Sequence, residues 1–119
     1  MGTRSRIAHY NSADNVYSSI YCHWDGYPEY NGKILQEHYN TEEKVLALLQ
    51  NGDMSALNPT IEESVFYKAR GEDCPMKQAK YMEISGDIEW VYVFREGQWY
   101  CKEHRKGAHW KLLSDILKK

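Results

Sequence analysis

Between Tyr21 and Gly32 the chain reads Tyr21-Cys22-His23-Trp24-Asp25-Gly26-Tyr27-Pro28-Glu29-Tyr30-Asn31-Gly32, which gathers an imidazole, a thiol, two carboxylates and four aromatic rings. Two kinds of chemistry suit that set. In acid–base work His23 would serve as base, Asp25 as its orienting carboxylate and Glu29 as acid, the outline of a small hydrolase acting on a phosphodiester. The only nucleophiles at hand are Ser19 and Cys22. Cys22 and His23 are adjacent in a stretch that reads as a strand, so their side chains leave opposite faces and cannot pair directly. Cys22 reads as a small core residue, and Asp25 before Gly26 also has the plain role of organising a turn.

The second kind is recognition. Rings bury area at small entropic cost, while polar tips and neighbouring charges orient a partner. Trp24, Tyr27 and Tyr30 would stack or anchor, and His23, Asp25 and Glu29 would make directional contacts. Pro28 biases Tyr27 toward an extended backbone, so the segment reads as a shaped loop leaving a strand. Binding is favoured over turnover.

Anion recognition needs side-chain cations, because the glycines are dispersed and form no phosphate-cradling pattern, and no cofactor is expected. Arg4, Arg6 and Arg70 are the candidates, Arg4 and Arg70 foremost, since guanidinium groups clamp phosphate or carboxylate. The plainer alternatives pair Arg70 with Glu72 or Asp73 and leave Arg4 in solvent. Cys101-Lys102-Glu103-His104 has metal-ligand spacing that Cys22, His23 and Cys74 would have to complete. Zinc sites show two close ligand pairs and this chain shows one, so no metal is expected. His38 falls on an apolar helical face and reads as a satisfied core histidine, and Lys102 to Lys106 as a solvated turn.

Positioning these groups requires a scaffold. Residues Arg4 to Tyr10 and Val16 to His23 alternate as strands joined by Asn11-Ser12-Ala13-Asp14-Asn15, an antiparallel hairpin. A helix follows over Gly32 to Tyr39, then a second that Asn40 would cap with Glu43 and Gly52 would stop. Ile61 to Lys68 fits either a short strand or a helical turn, and Tyr81 to Ile84 a brief strand. Ile88 to Phe94 turns through Arg95-Glu96-Gly97-Gln98 into Trp99 to Lys102, a second hairpin. Ala108 to Lys118 reads as a closing helix, with Lys118 and Lys119 favourable at its negative end. The expected fold is α+β: an antiparallel sheet built from two hairpins, with two or three helices packed on one face, in one domain spanning 1–119.

The 119 residues suffice for a core without staples. Three cysteines at wide spacing are no disulfide framework. No apolar run could span a bilayer, Arg6 stands where N-terminal lipidation wants Ser or Thr, and a cytosolic protein is expected. A net charge of −2 argues against a broad basic surface for nucleic acid. Ten Tyr and four Trp against two Phe favour rings with polar handles, as at a binding surface or in the core of a small aromatic sheet.

The start Gly2-Thr3-Arg4-Ser5, the block His23-Trp24-Asp25-Gly26-Tyr27-Pro28-Glu29, then Gly32, His38-Tyr39, Lys44-Val45, Gly52-Asp53 and Arg70-Gly71-Glu72 resemble a family of small phage and prophage accessory proteins. The resemblance covers much of the first two thirds of the chain and implies an accessory gene product acting in the host cytoplasm. Such products counter a host defence or regulatory factor by blocking a host enzyme, sequestering a signalling nucleotide or redirecting transcription. It supplies no catalytic residues. The partner expected is a host bacterial protein or a small nucleotide-like signal, with homo-oligomerisation left open.

Overall fold

In the computed structural model, which describes residues 3–82, 84 and 87–118, β1 (Ser5–Asn11) and β2 (Val16–Trp24) pair antiparallel, Ser5 opposite Cys22 and Asn11 opposite Val16. Asn15 takes the left-handed conformation at φ 58° in the connecting turn, which Asn tolerates well. Its side-chain oxygen accepts the Tyr10 hydroxyl at 2.6 Å.

After β2 come a π-helical turn (Pro28–Gly32), α1 (Lys33–His38), α2 (Glu42–Leu49) and β3 (Met54–Ala56). β4 (Val65–Phe66) and a 3-10 turn (Tyr67–Arg70) resolve the ambiguous stretch into both of its alternatives. β5 (Lys77–Ala79) follows, then β6 (Trp90–Arg95), β7 (Gln98–Glu103), β8 (Lys111–Leu112) and α3 (Leu113–Leu117). Glu96 at φ 51° and Gly97 at φ 80° turn β6 into β7, the two successive left-handed residues a tight hairpin demands.

The fold is α+β, but its sheet is mixed and larger than two hairpins. Its order is β4-β3-β2-β1-β6-β7-β8, with β5 pairing the start of β2. Most pairings are antiparallel, but β1 runs parallel to β6 and β2 parallel to β3. The helices between β2 and β3 carry the chain back along the sheet, and a parallel neighbour needs such a crossover.

Alternation divides the side chains between two faces. Ile7, Ile20, Cys22, Tyr92, Phe94 and Cys101 share one buried cluster with Leu35, Val45, Leu48, Leu49 and Leu113 of the helices. Ala8, Val91 and Val93 turn the other way, against Ile88, with Tyr10, Tyr17, Tyr21, Met82 and Ile84 partly buried around them. The 3.0 Å contact of buried His9 with Glu42 ties α2 to β1.

Several expectations are corrected. Thr41, not Asn40, caps α2: its hydroxyl accepts the Lys44 N–H at 3.3 Å, and its extended φ of −129° is that of a cap. His38 is not a core residue but sits exposed, 4.0 Å from Glu37, because the short α1 turns Leu35 inward instead. The closing helix is shorter than 108–118, since Lys111–Leu112 pair with β7 first. The pairing strand near residue 80 is Lys77–Ala79, while Tyr81 is exposed and Glu83 of the expected 81–84 strand lies outside the described residues. So do Gly2 of the terminal motif and Lys119. Among the described residues no helix is long and apolar enough to cross a membrane.

One joint in the sheet rests on a single side chain. β5 covers β2 as far as Ser19 and β3 begins at Cys22, which leaves the Tyr21 N–H between them. Asp53 accepts it at 2.8 Å, while the Asp53 N–H donates to the Cys74 carbonyl at 2.8 Å. Asp53→Ala is expected to lower the unfolding free energy in urea by about 1.5 kcal/mol, the scale of a hydrogen bond to a charged group. Asp53→Asn keeps an acceptor and should recover most of the loss; equal losses in the two variants would show that the joint does not depend on this bond.

Candidate functional site

The 23–31 loop is clamped to the sheet at its backbone and free at its rings. The Gly26 N–H donates to the Thr3 carbonyl at 2.6 Å, and the Tyr92 hydroxyl, rising from the core, donates to the Gly26 carbonyl. A Cβ on Gly26 would stand 2.7 Å from the Thr3 oxygen and 3.1 Å from Ser5 Cβ, so the approach requires glycine. Tyr27 is extended at φ −62°, ψ 144°, as a residue before proline should be, and Pro28 opens the π-helical turn. Asn31 is fully buried at the far end. Its amide donates to the Trp24 carbonyl at 3.3 Å and to Ser5 Oγ and Cys22 Sγ at 3.4 Å, and its backbone N–H to the Asp25 carbonyl at 3.2 Å.

With the backbone held, Trp24, Tyr27 and Tyr30 keep 42%, 47% and 43% of their surface in solvent. Pro28, Asn31 and Gly32 are the buried members of the turn. Asp25 is half-buried and Glu29 exposed.

The structure divides the loop's polar groups between two sides. On one, His23 Nδ1 and the Tyr21 hydroxyl share a 2.8 Å hydrogen bond, and the His23 ring meets Trp24 edge-on at 4.9 Å. Burial raises the Tyr21 phenol above its ordinary range and nearby Tyr67 adds to this, while Arg4, bonded to it, pulls the other way. Arg4 also lies 4.0 Å from Asp87, so it is not simply a solvated terminal side chain. Arg70 lies 5.4 Å over the Tyr67 ring. Arg4 thus meets the His23 end of the loop through Tyr21, while Arg70 stands one tyrosine further out, over Tyr67.

On the other side, Pro28 and Glu29 line a cavity of about 430 Å³ with Trp90, Cys101, His109 and Asp115 among its walls. Glu29 is near enough to Cys101 and Tyr92 to raise both of their pKa values in addition to burial. The trio His23, Asp25 and Glu29 is therefore split, with Glu29 facing the β7–β8 end of the sheet.

The sulfur chemistry is that of a core. Burial pushes the Cys22 and Cys101 thiols each up to about 12, and the Cys22 thiol donates to the Trp24 carbonyl at 2.9 Å. A thiol held that far above neutrality supplies almost no thiolate for attack. Cys74 is raised too, by desolvation and then by Asp53, Glu72 and Asp73, yet it is only half-buried. At pH 8 a thiol reagent is expected to modify native Cys74 first. Cys22 and Cys101 should react at least a hundredfold more slowly until urea exposes them; rapid native labelling of Cys22 would return it to the list of nucleophiles. All three cysteines are free, and among the described residues no group of three or more His, Cys, Asp or Glu is placed to hold a metal ion.

Sequence reasoning did not single out Tyr92, Asn31, Asp53 or Tyr67. The first two hold the loop, the third the strand beneath it, and the fourth carries Arg70. A tyrosine within an otherwise apolar strand was the only available signal for Tyr92, and its contact with Gly26 spans 66 residues. No family model matches this chain, and neither a curated protein nor a solved structure matches it.

Proposed function

We propose that this is a non-catalytic binding protein of phage origin, working in the host cytoplasm to counter a host defence or regulatory factor. The observation that carries this reading is the loop itself: three large rings stand exposed on a backbone pinned by Tyr92, Thr3 and Asn31. A pinned loop loses little conformational freedom when it binds, so ring burial goes directly into affinity. Trp and Tyr on such a surface are the residue types that anchor protein partners. The host target is a protein met by Trp24, Tyr27 and Tyr30, with His23, Asp25 and Glu29 as polar contacts. The phage origin rests on the resemblance of the terminal motif and the 23–29 block.

A second reading, sequestration of a nucleotide-like signal, has its own support in Arg4 beside Tyr21 at the His23 end, with Arg70 beyond it over Tyr67. Trp24 would then stack on the base and the guanidinium groups would meet phosphate. The hydrolase alternative, with His23, Asp25 and Glu29, is the least supported. His23 Nδ1 is engaged by Tyr21, Glu29 faces elsewhere, and Cys22 is held protonated.

The tagged protein recovered from infected cells, denatured and analysed by mass spectrometry, separates the three. A host protein lost on Trp24→Ala and kept on His23→Ala supports the first reading. An intact nucleotide released on denaturation replaces it with the second. A cleaved product that disappears in His23→Ala or Asp25→Ala overturns both in favour of the hydrolase.

A further inference from the structure

The face of the sheet turned away from the helical cluster carries a second concavity, which shares no residue with the 23–31 loop and is built by register. Antiparallel pairing sets Tyr10 opposite Tyr17, Ala8 opposite Ser19 and Tyr100 opposite both Val93 and Leu112, and β1 sets Ala8 beside Val93. One cross-strand row is therefore short, Ser19-Ala8-Val93, and it is bordered by tall rings. The dip between them is a cavity of about 340 Å³ lined by Tyr17, Val93, Arg95, Glu96, Tyr100 and Trp110. Val93 gives it a buried apolar floor, and exposed Trp110 forms one wall.

One cation borders it on a ring. The Arg95 guanidinium lies 4.8 Å over the Tyr10 ring, which itself stands 4.8 Å from the Tyr17 ring. Beside it is Glu96, 3.6 Å away. Lys102 lies 5.3 Å over Trp110 but lines the neighbouring cavity of about 430 Å³. An aromatic-walled dip with an apolar floor accepts a flat ring, and an exposed guanidinium at its edge accepts an anion beside that ring. The volume lies near the lower end of the roughly 300–1,000 Å³ of small-molecule sites, which suits one ring system and not a polymer.

We propose that this cleft is a binding site for a planar aromatic ring carrying a single anionic group, of mononucleotide size. The ring lies over Val93 between Tyr17, Tyr100 and Trp110, and the anion meets Arg95. The site is independent of the loop reading, because it shares no residue with that loop.

The test is a titration of the isotopically labelled protein, followed by NMR, with adenosine 5′-monophosphate and with indole-3-acetate. Adenosine serves as the ring alone and inorganic phosphate as the anion alone. The expected result is saturable binding of at least one ring-bearing anion, with shifts centred on Tyr17, Val93, Tyr100 and Trp110. Trp110→Ala should weaken it at least tenfold and Arg95→Gln at least fivefold. Both side chains are exposed enough to be changed without unfolding the sheet. Four outcomes overturn the proposal: no saturation by either probe at 10 mM, phosphate or adenosine alone binding as tightly, shifts centred elsewhere, or a short oligonucleotide binding more than tenfold tighter than the mononucleotide.

Discussion

Gly26→Val is expected to cost about 3 kcal/mol of stability, at the upper end of what forcing extra atoms into a packed site costs. The reason lies in what the new side chain would meet. The nearest atoms are the Thr3 carbonyl oxygen at 2.7 Å, Ser5 Cβ at 3.1 Å and the Arg4 carbonyl carbon at 3.2 Å, mostly backbone that cannot swing aside. The loop must lift, which breaks the Gly26 N–H bond to Thr3 and leaves the Tyr92 hydroxyl facing no acceptor. Urea unfolding reads the loss, and the fluorescence of Trp24 reads the displaced loop. Gly71→Ala is the contrast. Gly71 has a left-handed φ of 82° but no atom within 4 Å of its would-be Cβ, so only backbone strain applies, about 1 kcal/mol. Equal losses at the two glycines would mean that close approach does not set the loop.

The parts of this fold that the sequence made legible are those governed by neighbouring residues. The alternation in Val16 to His23 separates Cys22 and Ile20 from Tyr17 and Tyr21, which lie in different buried clusters. Gly52 ends α2 at φ 81°, and a Cβ there would strike the Cys74 carbonyl. What was not legible depends on distant pairing. Nothing local to Ser5–Asn11 says that its second neighbour is Trp90–Arg95 running parallel, because that pairing is chosen by the crossover and by total burial. The Asn40 and Thr41 caps differ by one residue, and both types cap well, so local propensity alone could not separate them. His38 was misread for a related reason: α1 is six residues long and too short to define a face by periodicity.

The candidate site was legible in its rings and not in its supports. A run with Trp24, Tyr27 and Tyr30 around Asp25-Gly26 and Pro28 announces an exposed, shaped loop from composition and turn chemistry alone. Arg4 lies far from the loop in sequence, and it is Tyr21 that holds it at the His23 end, while Arg70 stands over Tyr67. Glu29 joined the candidates by adjacency, yet the π-helical turn that Pro28 opens is enough to aim it toward Cys101. Sequence proximity places backbone atoms together, but the turn decides which side chains share a surface.

If the proposed host partner binds through the loop, Trp24→Ala is expected to weaken its capture by about 2 kcal/mol, close to thirtyfold, while leaving the unfolding midpoint nearly unchanged. The magnitude is that of a single anchoring aromatic at a protein interface. The small effect on stability follows from exposure: 42% of Trp24 faces solvent in the free protein, and it is the Trp24 carbonyl, retained in alanine, that Cys22 and Asn31 bind. Loss of the ring also removes the edge-on contact with His23, whose bond to Tyr21 remains. His23→Ala should therefore weaken capture less than Trp24→Ala. Surface plasmon resonance on the purified partner, beside urea unfolding of each variant, measures both quantities. If the loop is a true anchor, the loss appears mainly as faster dissociation, since a clamped loop forms its encounter complex much as before. A Trp24→Ala protein that binds with unchanged residence time would remove this ring from the interface and move the search for the partner's footprint to Arg4 and Arg70.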